Sequence, residues 1–210
     1  MRSTRLLATA LSAAALALSA CATTPYTGPV EVTRFVAPAP SGLGQGPIVV
    51  YFPDEVSNAS ARTAIKAAVE RELQGLGYTI VAQEGPGIQV AAVRSSRTPI
   101  AAAEDRRGPV SVGVGGSTGS YGSGLGVGVG INLGGGSEGP AVLTELSVRI
   151  TGDNASALWE GRAQIATGVK SPYSNVDTSA RTLAAGLFRD FPGGNGETVT
   201  ISVKKLQANK

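Results

Sequence analysis

Apolar and polar residues alternate along several stretches of the chain, and a period of two predicts β-strands with one buried face. The first stretch is Val30 to Val36, where Val30 and Val32 share a face and the Phe35–Val36 end is expected to turn inward with them. Ala141 to Ile150 alternates best, placing Val142, Thr144, Leu146, Val148 and Ile150 on one side. After the turn residues Gly152-Asp153-Asn154, Leu158 to Ala166 returns as its hairpin partner. Thr198 to Val203 gives a last strand with Val199, Ile201 and Val203 inward. Ile48 to Phe52 is an unbroken apolar run, which suits a central strand covered on both faces, and Pro53-Asp54 stops it. Tyr78 to Val81 and Ile88 to Val93 add two short strands around Gly85-Pro86-Gly87.

A period near 3.6 marks two helices. From Ala59 to Gly75, the residues Ile65, Val69, Leu73 and Leu76 form one stripe, while Arg62, Lys66, Glu70 and Gln74 lie on another face. Asn58 or Ser60 is placed to cap its start, and Gly75 and Gly77 bracket its end. The second helix opens at Asp177 or Ser179 and carries Ala180, Leu183 or Ala184, Leu187 and Phe191 inward, until Pro192-Gly193-Gly194 breaks it. The order predicts an α+β domain: an antiparallel or mixed sheet with two helices packed on one face, plus a Gly-rich hairpin insertion.

That insertion, residues 108–139, has no charged side chain from Gly108 to Ser137. Within it Val110 to Val114 and Leu125 to Leu133 alternate strictly between branched aliphatics and mostly glycine, which predicts two strands around a loop. The plain expectation is a hairpin that continues the sheet. A second reading makes its greasy face a contact for a partner, a membrane or another copy, through Tyr121, Leu125, Val127, Val129 and Ile131. The string Gly134-Gly-Gly136-Ser-Glu-Gly139 matches a dinucleotide fingerprint in letters only. Pro140 and a strand follow it, not a helix start that could hold a phosphate.

The first residues speak of targeting. Arg2 and Arg5 precede an uncharged apolar stretch from Leu6 to Leu18, too short to span a bilayer, which needs about 20 residues. Small residues then lead to Cys21, the only cysteine in the chain. Residues 1–20 therefore read as a signal peptide. Leu18-Ser19-Ala20-Cys21 resembles the lipobox of bacterial lipoproteins, and the resemblance implies cleavage before Cys21 with lipid on its thiol and amino group. The other reading is an ordinary signal peptide cut after Ala22. An exported cysteine with no possible disulfide partner favours lipidation. Ala22 in place of aspartate after the lipidated residue implies the outer membrane, with the domain in the periplasm. Residues 21–29 read as a tether, whose last eight residues reach about 27 Å when extended, and residues 30–205 as a single domain.

Charge and composition then exclude classes of chemistry. Cleavage removes two arginines and no acid, so a formal charge of +3 falls to +1, and no basic stripe remains for nucleic acid. There is no histidine, which removes His-based nucleophile systems and His-bearing zinc sites. No cofactor or metal-binding motif stands out. Glu104-Asp105 is followed at once by Arg106-Arg107 and reads as a self-neutralising loop. Trp159 fits either a binding-site aromatic or a core residue, while Glu160 and Arg162, on the opposite face of the same strand, read as a solvated pair.

Three local strings, in this order behind a lipobox, resemble the lipoprotein family known as domain of unknown function 4136. They are Glu72-Leu-Gln-Gly-Leu-Gly77-Tyr78, Leu158-Trp-Glu-Gly-Arg-Ala163 and Leu187-Phe-Arg-Asp-Phe-Pro192. The likeness runs from about Val30 to Val203. It implies a small periplasmic domain associated with the outer membrane. The chain departs from the family in its Gly-rich insertion and in lacking an aspartate near Ile88 to Val93. The leading expectation is a non-catalytic envelope protein, held to the membrane by lipid on Cys21, that binds a partner or assists assembly. The alternative is a carboxylate-based hydrolase of envelope material, which requires two acids converging in a cleft.

Overall fold

The computed structural model describes residues 25–207, apart from 39, 55, 57, 101–110, 113–130, 133–139 and 153–154. Its strands are β1 (Thr27–Val36), β2 (Gly46–Tyr51), β3 (Tyr78–Val81), β4 (Gln89–Ile100), β5 (Ser111–Val112), β6 (Ile131–Asn132), β7 (Ala141–Thr151), β8 (Ala157–Gly168) and β9 (Thr198–Ile201). The helices are α1 (Ala59–Gly75), α2 (Val176–Leu187) and the short α3 (Val203–Gln207). No helix among the described residues is long and apolar enough to cross a membrane.

Seven strands form one open mixed sheet in the order β3-β2-β4-β7-β8-β1-β9. β2 pairs in parallel with both β3 and β4, and every other neighbour in the sheet is antiparallel. Parallel neighbours cannot be joined by a tight turn, so β2 reaches β3 through α1. α1 and α2 pack side by side on one face of the sheet. α1 follows β2 and α2 follows β8, two strands that run the same way, so both helices start at the same end of the sheet. The α+β architecture with two long helices on one face is therefore present, with α3 added beside α2 and β1.

The core lies between this face and the helices. Ile48 and Val50 of β2, Leu146, Val148 and Ile150 of β7, and Ile165 of β8 meet Ile65, Val69 and Leu73 of α1 and Leu183 and Leu187 of α2. Each such side chain stabilises the fold by about 1.5–3 kcal/mol. Asn58 caps α1, its Oδ1 accepting from the main-chain N–H of Ser60 and of Ala61 at 3.0 and 3.1 Å. Lys66 and Glu70 meet at 3.2 Å on the solvent side, as their spacing predicts.

The opposite face of the sheet carries charges in pairs, beside a small apolar cluster of Leu143, Ala166, Tyr26 and Ile100. Arg149 bridges Glu160 at 3.0 Å, Arg162 reaches Glu145 at 3.5 Å, and Gln164 donates to Glu31 at 2.9 Å. Glu160 and Arg162 are thus not partners of each other. They stand two apart on one strand, and each finds the opposite charge across the ladder on β7.

Several other expectations are corrected. Strand pairing begins at Thr27, inside the stretch read as tether, because backbone bonds and a Thr27–Ser171 hydroxyl contact of 2.7 Å hold a segment with no hydrophobic period. The inward phase of β1 runs through Val30, Val32 and Arg34, so Phe35 faces out and is 46% exposed. β9 ends at Ile201 and Val203 starts α3. Val199 is 41% exposed because β9 is an edge strand covering little beyond Ile201. α2 is capped by Asn175, not by Asp177 or Ser179, and ends at Leu187, before Phe191. β4 runs on to Ile100, because β7 supplies a full ladder of partners for the polar residues Arg94 to Thr98. In the Gly-rich region the described part is a two-residue ladder, Ser111 opposite Asn132 and Val112 opposite Ile131, which forms a sheet of its own and does not extend the large one.

Candidate functional site

Past the end of β2, strands β4 and β7 continue together, and among the described residues no third strand lies beside β4 there. The first turns of α1 and α2 arch over this extension and leave a half-open cavity of about 180 Å³. Its floor and walls are mostly apolar, with Ile65 from α1, Leu146 from β7, and Ala180 and Leu183 from α2. Asn58 and Val176 mark the helix starts at its mouth.

The polar part of the lining comes from Ser95, Ser96 and Arg97 of β4, Thr144 of β7, and Asn58 and Ser179 at the helix starts. The register sets Arg97 directly opposite Thr144, and Ser95 opposite Leu146. Directly opposed Cβ atoms lie about 4.5–5.5 Å apart, so the backbone brings Arg97 and Thr144 to one end of the lining, with Arg97 exposed and Thr144 buried. Arg97 Nη2 donates to the Ser174 carbonyl at 2.6 Å, tying the side chain to the turn that precedes α2. Ser95 Oγ donates to the Glu145 carbonyl and Ser179 Oγ to the Val176 carbonyl, each at 3.0 Å.

Thr144 differs from all of them. It is 4% exposed, and its Oγ1 has no hydrogen-bond partner among the described residues. A buried hydroxyl without a partner costs on the order of 1–3 kcal/mol. Among the described residues no carboxylate lines the cavity, and Arg97 is its only ionised group.

The other end of the helical layer is filled. Trp159, 1% exposed, stacks on Phe188 with centroids 5.4 Å apart, leans on Phe191 at 5.2 Å, and donates its indole N–H to the Pro192 carbonyl at 2.9 Å. Gly161 is required here, because a Cβ on it would overlap the Trp159 ring. Two of the three strings that carry the family resemblance thus meet around one buried indole. Trp159 is a core residue.

Arg34 closes the same end. Its Nε and Nη2 donate to the Leu187 and Gly186 carbonyls, both at 2.9 Å, satisfying the last turn of α2. Burial pulls its pKa below the ordinary arginine value, and the charge of Asp190 opposes that shift. Sequence reading missed Arg34 by ranking apolarity above alternation; strict alternation from Val30 points to it.

Of the residues proposed from sequence, Cys21, Tyr121, Leu125, Val127 and Val129 lie outside the described residues. Ile131 belongs to β6, opposite Val112. Neither Arg97 nor Thr144 was singled out by sequence, since only the β4–β7 register brings them together.

No family model matches the chain. No curated protein matches it. Among solved structures it is similar to a PelC dodecamer from Paraburkholderia phytofirmans, with 14% identity and a TM-score of 0.35 over 75% of this chain and 92% of that one. A second PelC dodecamer from the same organism gives 13% and 0.35 over 75% and 93%. A PDZ domain protein from Parabacteroides distasonis gives 13% and 0.43 over 84% of this chain but 38% of that one, so the chain spans well under half of that protein. Likeness at this level carries no argument about activity or assembly.

Proposed function

We propose that the chain is a lipid-anchored lipoprotein domain of the bacterial envelope, resembling the domain of unknown function 4136 family, that acts by binding and not by catalysis. The carrying observation is Cys21, the only cysteine, placed directly behind an uncharged apolar leader and small residues. The start of β1 at Thr27 supports a close attachment. Residues 22–26 alone would separate the lipid from the sheet, a reach of about 17 Å when extended. The absence of aspartate after Cys21 supports the outer membrane, with the domain on the periplasmic side.

The described carboxylates favour binding over hydrolysis. Glu145 and Glu160 lie on the open sheet face in ion pairs with arginine, and Asp54 pairs with Arg94 at 2.7 Å.

The test is incorporation of an alkyne-tagged palmitate in a Gram-negative host, followed by separation of inner and outer membranes. Wild type is expected to carry the label and to sediment with the outer membrane, while Cys21→Ser loses both properties. Label retained by Cys21→Ser, or an unlabelled wild type found free in the periplasm, would overturn the reading.

A further inference from the structure

The end of the sheet where α2 starts is also the end where the chain arrives from Cys21. Three pairs of neighbours are joined there through the backbone. The Gly168 N–H donates to the Tyr26 carbonyl at 2.9 Å, the Val169 N–H donates to the Pro140 carbonyl at 3.2 Å, and Ile100 stands opposite Ala141 in the β4–β7 ladder. We infer that this end rests on the bilayer that holds Cys21, with Tyr26, Pro140 and Val169 at the lipid surface and Lys170 among its phosphates. The inference rests on the lipid anchor proposed above and adds to it a fixed orientation of the domain.

Reach comes first. Cys21 stands five residues before Tyr26, so the chain between them extends at most about 17 Å. From Tyr26, β1 runs away from this end to Phe35, roughly 30 Å at ~3.3 Å per residue. A tether shorter than the strand does not let the domain stand on its Phe35 end. Lying flat is opposed by charge. The open sheet face carries the Arg149–Glu160 and Arg162–Glu145 pairs, and the solvent side of α1 carries Lys66 with Glu70 and Arg71 with Glu72. Pressing either against hydrocarbon would strip water from ionised groups.

The chemistry of the Tyr26 end fits lipid instead. Val169 is 48% exposed and Pro140 is exposed, while Tyr26 and Ile100 pack on Leu143 and Ala166 in a cluster separate from the main core. Proline brings no N–H that lipid would leave unsatisfied. Tyrosine suits the border of hydrocarbon and water, because its ring is apolar and its hydroxyl is not. Lys170 is exposed, so its stem can lie along the lipid while the ammonium meets anionic headgroups. Residues 25–30, 99–100, 140–144 and 167–173 include no acid. The Phe35 end differs, with Asp190 84% exposed and Glu197 exposed.

The experiment places a nitroxide on one new cysteine in the lipidated chain, since a lipidated Cys21 leaves no other thiol. Val169→Cys and Pro140→Cys report on the proposed contact, and Phe35→Cys, at a residue 46% exposed, reports on the far end. Each chain is reconstituted in phosphatidylethanolamine–phosphatidylglycerol vesicles, and mass spectrometry checks the lipid on Cys21. Collisions of the nitroxide are measured with oxygen, which concentrates in hydrocarbon, and with a polar nickel chelate, which stays in water. The oxygen-to-nickel ratio is expected to be about fivefold higher at Val169→Cys and Pro140→Cys than at Phe35→Cys. That excess should vanish in a Cys21→Ser background, where the same labels meet only water. Equal ratios at both ends of the lipidated chain overturn the inference and leave the anchor intact. Labels at Val169 and Pro140 shielded from both reagents would show that the 101–140 segment or a second copy covers this end, and overturn it too. A Cys21 without lipid overturns the anchor and the orientation together.

Discussion

The two ends of the helical layer are built on the same sheet and under the same pair of helices, yet they are finished in opposite ways. At the end where α2 stops, three aromatic rings fill the space, and Arg34 and the Trp159 indole satisfy main-chain carbonyls. At the end where α1 and α2 start, a cavity remains and a buried threonine hydroxyl has no partner. Packing density in protein interiors is normally uniform, and voids larger than a water are few. The difference teaches that one sheet under one helix pair can be closed by packing at one end and left hollow at the other.

Breaking the filled end should have the largest effect. Trp159→Ala is expected to destabilise the domain by about 3–5 kcal/mol in urea unfolding, since it empties the space between Phe188 and Phe191 and frees the Pro192 carbonyl. A loss below about 1 kcal/mol would mean that this end is not where the fold is held. Arg34→Leu comes next, at about 2 kcal/mol, because it strands the Gly186 and Leu187 carbonyls without their donors. Its signature should be local, with faster amide exchange in the last turn of α2 and little change in α1.

At the hollow end the expected effects are smaller. Asn175→Ala removes the cap of α2 and should cost about 1 kcal/mol. Asn175 Oδ1 accepts from the Asp177 and Thr178 N–H groups at 2.9 and 3.3 Å. The smallest effect has the opposite sign. Thr144→Val keeps the shape and deletes an unsatisfied hydroxyl, so it should raise stability by about 1 kcal/mol. A destabilised Thr144→Val would show that the hydroxyl is satisfied in solution, and the contrast between the two ends would weaken.

Much of the core was legible in the sequence. The alternation of Leu146, Val148 and Ile150 and the stripe of Ile65, Val69 and Leu73 give both the buried faces and the helix-on-sheet arrangement. What escaped was tertiary in origin. Arg34 replaces an apolar residue at an inward position because a helix end waits for its guanidinium. The polar run from Arg94 to Thr98 lies past the strand expected to end at Val93, yet it is strand because β7 lies alongside. Of the hollow end the sequence showed the inward residues Ile65, Leu146 and Leu183 and the cap Asn58, but not the space between them. Arg97 stands opposite Thr144 there, residues 47 positions apart that only the register aligns.

That same register has one more consequence. Ile100 and Ala141 are paired across β4 and β7, so the sheet itself closes the two ends of the 101–140 segment. Loop-closure entropy grows only with the logarithm of length. On the flexible-loop scaling, replacing the segment with a four-residue turn would recover only about 2 kcal/mol. Each doubling of the insertion's length therefore costs the domain only about 0.6 kcal/mol, so its exact length is weakly constrained by folding.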